Sequence, residues 1–592
     1  MESYHYTNLN PTLDEIRLFT LKPSASGSKI EGILKNYPLQ NVPSYHALSY
    51  VWGNPEDTRA ILVDGHTLSV TANLYDALQH IRDIHHSTTL WIDAVCINQS
   101  DSTERGLQVQ MMKTIFANAD GVIAWIGPSS AHCGIAMEFI LQFAHPNVNM
   151  ERLLERADSE GSRLQNSIHD LFMRPYWGRV WIVQELASAR TAQVRCGHYS
   201  APLEAFQVFI TALNSRLGTI ANYMSVTKAC RLLKLVKIYW QQSMDKQRLI
   251  DILWSTVDFQ ATDQRDKIYA ILGIAREQDQ KALPLDYTAE TTSSSLLRNL
   301  VRHHLENEGD FDILCYFPPL QTQFTDCSWL PDLGQYINGL CPASFRASAD
   351  TRPAFRFSSD MNYLTTKGIA LTIVDTVVGP FEFARFLDSS LENHQSTIFK
   401  DNAFTSLKYA ALQALHTRIL PGATEDFVED YFWNNIVGDN IMLGADGPEV
   451  PCPCGYLELW ESVLPRAYNG TLSKPFRAQE RPRSHITNNG IAESVDDMAK
   501  HFERAVNLAS MMRLSGRCVF VTADGMAGLG PTNLEKGDTV SIIFGCRLPL
   551  VLREVGQQFR LIGPAYVHGA MRGEYVDGIE ADLVQVQEFT LR

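Results

Sequence analysis

The chain has no apolar run near the ~20 residues that a helix needs to cross a bilayer, so no membrane span is expected. It lacks a basic start followed by an apolar core: "MESYHYTNLNPTLDEIRLF" is mixed and polar, unlike a secretory leader. Positive charge is short as well, with 51 Lys and Arg against 66 Asp and Glu and a formal net charge of −15. Phosphate backbones are held by clustered basic surface, so a nucleic-acid partner is not expected, and "RAQERPRSH" reads as solvated loop charge. No "GxxxxGK[ST]" loop is present, which removes a nucleotide-driven switch of that kind, and no segment repeats. The 11 cysteines follow no secreted-type framework. "CPC" at Cys452 and Cys454 lacks the spacer of a zinc knuckle, and Cys196 with His198 in "RCGHYS" makes two ligands, too few for a structural metal. The expectation is a cytoplasmic protein with reduced, mostly buried thiols and no metal site.

At 592 residues, 45% hydrophobic and 20% charged, the chain is long enough for several domains. "IRLFTLKPS" and "IEGILKNYPL" read as short strands, and "YHALSYVWG", Tyr45 to Gly53, as a strand buried on both faces. "ILVDGHTLSV" has the Asp64-Gly65 turn of a hairpin. "TANLYDALQHIR" reads as a helix capped by Thr71 or Asn73, with Leu74, Ala77, Leu78 and Ile81 on one face. "TTLWIDAVCIN" reads as the next strand; Asp101 and Glu104 then form a capping box ahead of the helix carrying Leu107, Met111, Met112, Ile115 and Phe116. "DGVIAWIG" is a further strand. Strand and helix thus alternate, the pattern of a parallel sheet covered by helices.

Residues 129–170 read as an insertion, "RPYWGRVWIVQELASAR" as an aromatic-rich helix and "TAQVRCGHYS" as a strand. Four regions follow from this pattern: α/β over 1–200, helical over 201–310, mixed α/β with loops over 311–500, and strand-rich over 501–592. The last begins with the helical run "DDMAKHFERAVNLASMMRL".

At "ALSYVWG", "LWIDAVCINQSDSTE" and "ADGVIAWIG", with "RPYWGRVWIVQEL" as a fourth block, the chain resembles the heterokaryon incompatibility (HET) domain family of filamentous fungi, with a motif core of 45–190. "ATDQRDKIYAILGIA", "PLDYTAETT", "SWLPDL" and the segment from "GDTVSIIFG" to "AMRGE" resemble the usual downstream parts of stand-alone members. The resemblance implies nonself recognition between fungal cells (vegetative incompatibility) that ends in programmed cell death. A protein partner, the incompatibility determinant, or self-association is implied with it.

HET domains in turn look like Toll-receptor-type (TIR) domains. "WIVQEL" is similar to the TIR pattern W-x-x-x-E-L at Trp181, Glu185 and Leu186, with Ile182 where a Cys is common. In NAD-cleaving TIR domains that Glu is catalytic, so the resemblance implies Glu185 as the catalytic candidate and NAD as a substrate, with no cofactor required. Cleaving nicotinamide from ribose passes through an oxocarbenium-like state that a carboxylate stabilises, and the leaving group is already cationic, so no partner acid is needed. On a helix, Trp181, Ile182 and Ala189 share the face of Glu185, which would desolvate the carboxyl and raise its pKa. The competing reading is a Glu beside a buried Trp in a helix that only packs.

Ligands of open parallel sheets bind beyond the C-terminal strand ends. Trp52, Gly53 and Asp93, together with Trp181, are therefore the substrate-binding candidates. Each also has a plain reading: Trp52 as core, Gly53 as a tight turn, Asp93 bonding backbone amides. Asn98 and Gln99 read as loop architecture, Glu104 as the cap partner of Asp101, Cys96 as a structural thiol, and His80, His85 and His86 as solvated. In a TIR-like arrangement 46–52, 89–96, 121–126 and 191–196 are adjacent parallel strands, joined through helices at 73–82, 103–118 and 177–189. Three roles stay open: an enzyme that consumes NAD through Glu185, a non-catalytic module acting by self-association or recruitment, and a recognition protein held inactive by its C-terminal half.

Overall fold

The run "HALSY" has four of its five residues buried, and such a strand needs hydrogen-bonded neighbours on both sides. In the computed structural model it has them. The structure describes residues 2–25, 27–130, 132–145, 149, 152–153, 162–214, 227–241, 247–288, 290–320, 327–335, 345–381, 402–419, 421–424, 428, 514, 516–576 and 585–592. The chain divides into two units, Met1–Ser293 and Ser294–Arg592.

The first unit is built on nine strands: β1 (Glu15–Leu21), β2 (Glu31–Pro38), β3 (His46–Tyr50), β4 (Thr58–Val63), β5 (His66–Thr71), β6 (Thr88–Trp91), β7 (Gly121–Trp125), β8 (Ala192–Cys196) and β9 (Tyr199–Pro202). Their order in the sheet is β5-β4-β2-β1-β6-β3-β7-β8-β9. The four central strands β6, β3, β7 and β8 run parallel, with His46 to Tyr50 in register with Gly121 to Trp125. Antiparallel pairs flank them, β1 against β6 on one side and β9 against β8 on the other. The sheet is therefore mixed, with its parallel strands in the interior.

Parallel neighbours need crossovers, and the helices supply them. They are α1 (Ala72–Ile81), α2 (Asp93–Cys96), α3 (Ser102–Asn118), α4 (Cys133–Leu141), α5 (Ser162–Phe172) and α6 (Ile182–Ala187). Beyond β9 the unit is helical: α7 (Leu203–Asn214), α8 (Thr227–Trp240), α9 (Leu249–Ser255) and α10 (Asp266–Leu272). Among the described residues no helix is long and apolar enough to cross a membrane.

Two local expectations change. "LWIDAVCIN" leaves the sheet after Trp91, and Asp93–Cys96 is one helical turn. The Asp93 carboxylate accepts the Ala94 N–H at 2.7 Å, and the Val95 and Cys96 amides donate to the Ile92 carbonyl. This local bonding competes with a ladder, as short polar side chains do at helix starts. The expected helix at 177–189 is instead a 3-10 turn, Pro175–Gly178, an extended Arg179 and the short α6. Gly178 and Val180 pair with the backbone of Gln260, which holds Arg179 extended between them.

A third expectation concerns Glu104. Asp101 caps α3 by accepting from the Thr103 and Glu104 amides, but Glu104 does not complete the box. Its carboxylate grips both ends of the buried Arg17 guanidinium, at 2.6 and 2.9 Å, and accepts the Asn98 amide. Arg17 also donates to the carbonyls of Cys96 and Thr7 and lies under the Tyr6 ring. A buried guanidinium needs its charge met, and the Glu104 carboxylate does so.

The second unit is strand-rich. Its strands are β10 (Phe355–Phe357), β11 (Leu364–Phe381), β12 (Arg517–Thr522), β13 (Ala527–Pro531), β14 (Thr539–Ile543), β15 (Leu550–Val555), β16 (Gln558–Pro564), β17 (Tyr566–Val567) and β18 (Val586–Leu591). The path β14-β15-β16-β18-β11 closes because β11 also pairs with β14, which makes a barrel. β11 then continues beyond the ring to pair with β12, and register shifts after Ala370, Val374 and Val378 let it bend between the two pairings. Phe520, Leu534, Val540, Val551, Ile562 and Val567 pack in its core. The helical run at 496–513 and the "CPC" segment lie outside the described residues.

Removing Glu104 leaves Arg17 buried and unpaired. Glu104→Ala is expected to cost about 3–5 kcal/mol in urea unfolding, whereas replacing Arg17 and Glu104 together by Leu costs clearly less. An equal cost for both would show that the ion pair is not what the segment depends on.

Candidate functional site

The last two residues of β3 build the site, Ser49 through its side chain and Tyr50 through its backbone carbonyl. Ser49 Oγ donates to Glu185 Oε2 at 2.5 Å and lies 2.9 Å from the Tyr176 hydroxyl. The Tyr50 carbonyl accepts from Arg179 Nη1 at 2.7 Å. The same nitrogen donates to Glu185 Oε1 at 3.3 Å, while Nη2 lies 3.6 Å from Asp93 Oδ2. Asp93 Oδ2 also accepts the Trp52 indole N–H at 2.8 Å, and Gln99 Nε2 donates to the Asp93 carbonyl. Alongside, Asn73 ties Val51 of the β3 exit to the Trp125 indole at the end of β7. The cluster therefore sits at the C-terminal ends of parallel strands.

Its composition is two carboxylates sharing one guanidinium. Glu185 is 1% exposed, and burial pushes its carboxyl up to about 7, with Arg179 and the Ser49 bond holding it lower than burial alone would. Burial works against the Arg179 charge too, but Glu185 and Asp93 outweigh it and the guanidinium stays protonated. Burial, then the nearby carboxylates, raises Tyr50 and Tyr176 well above the usual phenol range. Both buried Glu185 oxygens are occupied. Trp52, 40% exposed, and the edge of Arg179 are what solvent meets.

The structure thus brings Glu185, Asp93 and Trp52 into one connected cluster. Gly53 adjoins it with φ +81°, backed by Asn73. Trp181 is tied elsewhere, its indole N–H donating to Asp266 Oδ2 at 3.1 Å. The sequence reading missed Ser49, Tyr50, Tyr176 and Arg179. A signal for Arg179 existed: a carboxylate on an apolar helix face calls for a nearby cation, and "RPYWGRVWIVQEL" offers one six residues before Glu185.

Other residues singled out in the sequence have simpler roles. Cys96 is fully buried, accepts the Ile92 amide at 3.3 Å, and burial pushes its thiol up to about 12, the environment of an inert structural cysteine. His80 is only partly solvated: its ring lies 5.1 Å from that of Trp125 and 4.7 Å from that of His198. His85 and His86 are exposed and their amides bond the Asp83 carboxylate. Among the described residues no group of three or more His, Cys, Asp and Glu is placed to hold a metal ion.

A carboxyl whose folded pKa of about 7 exceeds its ordinary 4.5 favours the folded state most while it is protonated in both states. That stability is fully present below about pH 4.5 and is lost as pH rises to about 7, a decline of about 3 kcal/mol. Urea unfolding between pH 4 and 8 is expected to show the decline in the native protein and a flatter profile in Glu185→Gln. Parallel profiles would remove the assignment to Glu185. Cys96→Ser is expected to lower the melting temperature without changing any activity per folded molecule.

The segments that carry this site are similar to known proteins. The family model described as heterokaryon incompatibility protein (HET) matches residues 45–185, the stretch from the start of β3 to Glu185 itself. The Het-6 beta-barrel domain model matches residues 486–583, which span strands β12 to β17. Heterokaryon incompatibility protein 6, OR allele, of Neurospora crassa is 24% identical over 685 aligned positions that cover 98% of this chain and 97% of that protein. No solved structure matches the chain. The chain therefore carries a HET domain ahead of a Het-6 barrel domain, and it is similar almost from end to end to a fungal heterokaryon incompatibility protein.

Proposed function

We propose that the protein acts in the cytoplasm in nonself recognition between fungal cells, promotes programmed cell death, and does so by hydrolysing NAD at the Glu185 cluster. The observation that carries this is a buried carboxyl, pushed up to about 7, at the C-terminal ends of parallel strands and joined through Arg179 and Asp93 to the exposed Trp52 indole. The bond between C1′ of the ribose and the nicotinamide nitrogen breaks with its electron pair going to that nitrogen, so neutral nicotinamide leaves. Glu185, ionised, stabilises the cationic ribose and takes the proton of the water that adds at C1′, giving ADP-ribose. A group with pKa near the working pH suits both parts. Trp52 offers a face for the nicotinamide or adenine ring. Substrate must first draw Arg179 off Glu185 Oε1, and the diphosphate of a dinucleotide is an anion able to hold that guanidinium instead.

A second reading has its own support. With Ser49 on one oxygen of Glu185 and Arg179 on the other, the cluster is complete as a brace between β3, α2 and α6. In that reading the domain signals without chemistry, through self-association or by recruiting an incompatibility partner.

Purified full-length protein incubated with NAD is expected to release free nicotinamide, and Glu185→Gln to release at least about 100-fold less. No release from either protein, with cell death on overexpression unaffected by Glu185→Gln, would reject the enzyme and leave the brace.

A further inference from the structure

The family match stops at Glu185, yet the site does not. Residues 257–287 close around the segment that carries Arg179. Gln260 pairs with both neighbours of Arg179: its amide donates to the Gly178 carbonyl at 2.5 Å, and its carbonyl accepts from Val180 at 3.0 Å. The backbone on each side of Arg179 is therefore fixed by one residue 81 positions later in the chain. Lys267 holds the turn that delivers Gln260, its buried ammonium donating to the carbonyls of Val257, at 2.8 Å, and Phe259. One residue earlier, Asp266 accepts two hydrogen bonds, from the Trp181 indole at 3.1 Å and from the Tyr287 hydroxyl at 2.6 Å.

Trp181 starts α6, two residues after Arg179 and four before Glu185. Helix α10, which carries Asp266 and Lys267, packs against α6. It does so closely: a Cβ on Gly273, just past the end of α10, would lie 1.8 Å from Oε1 of the buried Gln184 on α6. A residue with any side chain there would displace the buried Gln184 side chain, the neighbour of Glu185 on α6. The spacing in "DQRDKIYAILG" is thus a set of contacts: Asp266 for Trp181, Lys267 for the Gln260 turn, Gly273 for Gln184.

We propose that Asp266, with Gln260, is a positioning residue for the Glu185 site: it fixes the start of α6 and so keeps the Arg179 guanidinium between Glu185 and Asp93. The functional unit then includes residues 257–287, and chemistry at Glu185 depends on a carboxylate that does not touch the reacting atoms. A carboxylate taking two donors at once, one of them an indole N–H, is a rigid anchor; an amide offers an acceptor to only one of them and turns its own N–H groups towards the other donor.

The role in catalysis rests on the NAD reading, so the test has one readout that needs no activity. The charged or titratable groups facing Glu185 are Arg179 from the extended segment, Tyr176 from the 3-10 turn, Asp93 from α2 and Tyr50 from β3. In the full-length protein the thermal midpoint is followed from pH 4 to 9, and the step that Glu185→Gln abolishes is assigned to Glu185. Asp266→Asn is expected to move that step upward by about half a unit or more, because a displaced Arg179 favours the ionised carboxyl less. Tyr287→Phe, which keeps the Asp266 charge and the Trp181 bond, is expected to move it less in the same direction. Nicotinamide release is expected to fall about 10-fold or more in Asp266→Asn, with its pH profile displaced alike. A lowered melting temperature with the Glu185 step unmoved in both variants would overturn the proposal and leave Asp266 a packing residue. If the native protein releases no nicotinamide, the NAD reading fails alone and the step still decides. If Asp266→Asn does not fold, Trp181→Phe and Tyr287→Phe decide by the same step.

Discussion

Burying a carboxylate in an apolar interior is expensive unless a cation and hydrogen-bond donors meet it, and here the cation must serve two carboxylates at once. Arg179 does this by donating to a strand carbonyl and to Glu185 while facing Asp93. Much of the local architecture follows from that requirement. The segment before α6 cannot be helical, since a helical Arg179 would lose the Gln260 pairing that aims it. The penultimate residue of β3 must be a small hydroxyl, because a larger side chain at 49 would fill the space between Glu185 and Tyr176. The turn after β6 must put a carboxylate within reach of both Trp52 and the guanidinium. Each of these is a local departure from regular structure held in place by one charge.

The parallel core was readable because its strands are buried on both faces, and "HALSY" and "GVIAW" show this as near-unbroken apolar runs. The hairpin at Asp64-Gly65 and the α3 cap at Asp101 were readable because their chemistry is local. What failed to show was long-range. Glu104 looked like a cap partner because Arg17, its true partner, is 87 residues away. Likewise "DAVC" is too short to show any period, so one helical turn read as continuing strand. The long helix expected through Trp177 is broken by a partner that no local pattern announces, Gln260.

Glu185 was legible as a residue and its setting was not. The apolar face of "WIVQEL" predicts a desolvated carboxyl, and the structure agrees on burial. Periodicity carries no information on Ser49 or Tyr176, which reach the same carboxylate from other elements. Trp181, which the TIR-like pattern pairs with Glu185, faces a different task, joining α6 to Asp266. A motif can thus record a fold contact and a chemical group in one string without the two touching.

Strand β11 has a kinetic meaning that its pairing alone does not display. It joins β14, β12 and β18, all encoded well over a hundred residues later, and β18 is the last described strand. On a ribosome that adds about 5–20 residues per second, β11 emerges many seconds before any of these partners. Until then β10 can pair only with Leu364 to Thr366, and the rest of the eighteen residues of β11 present unpaired backbone, the feature that invites pairing with other chains. Its twist and register shifts make it a poor template for a flat intermolecular ladder, since an added strand would have to copy each irregularity. The bends that let one strand serve both pairings in the finished barrel would therefore also guard the nascent chain during its most exposed interval.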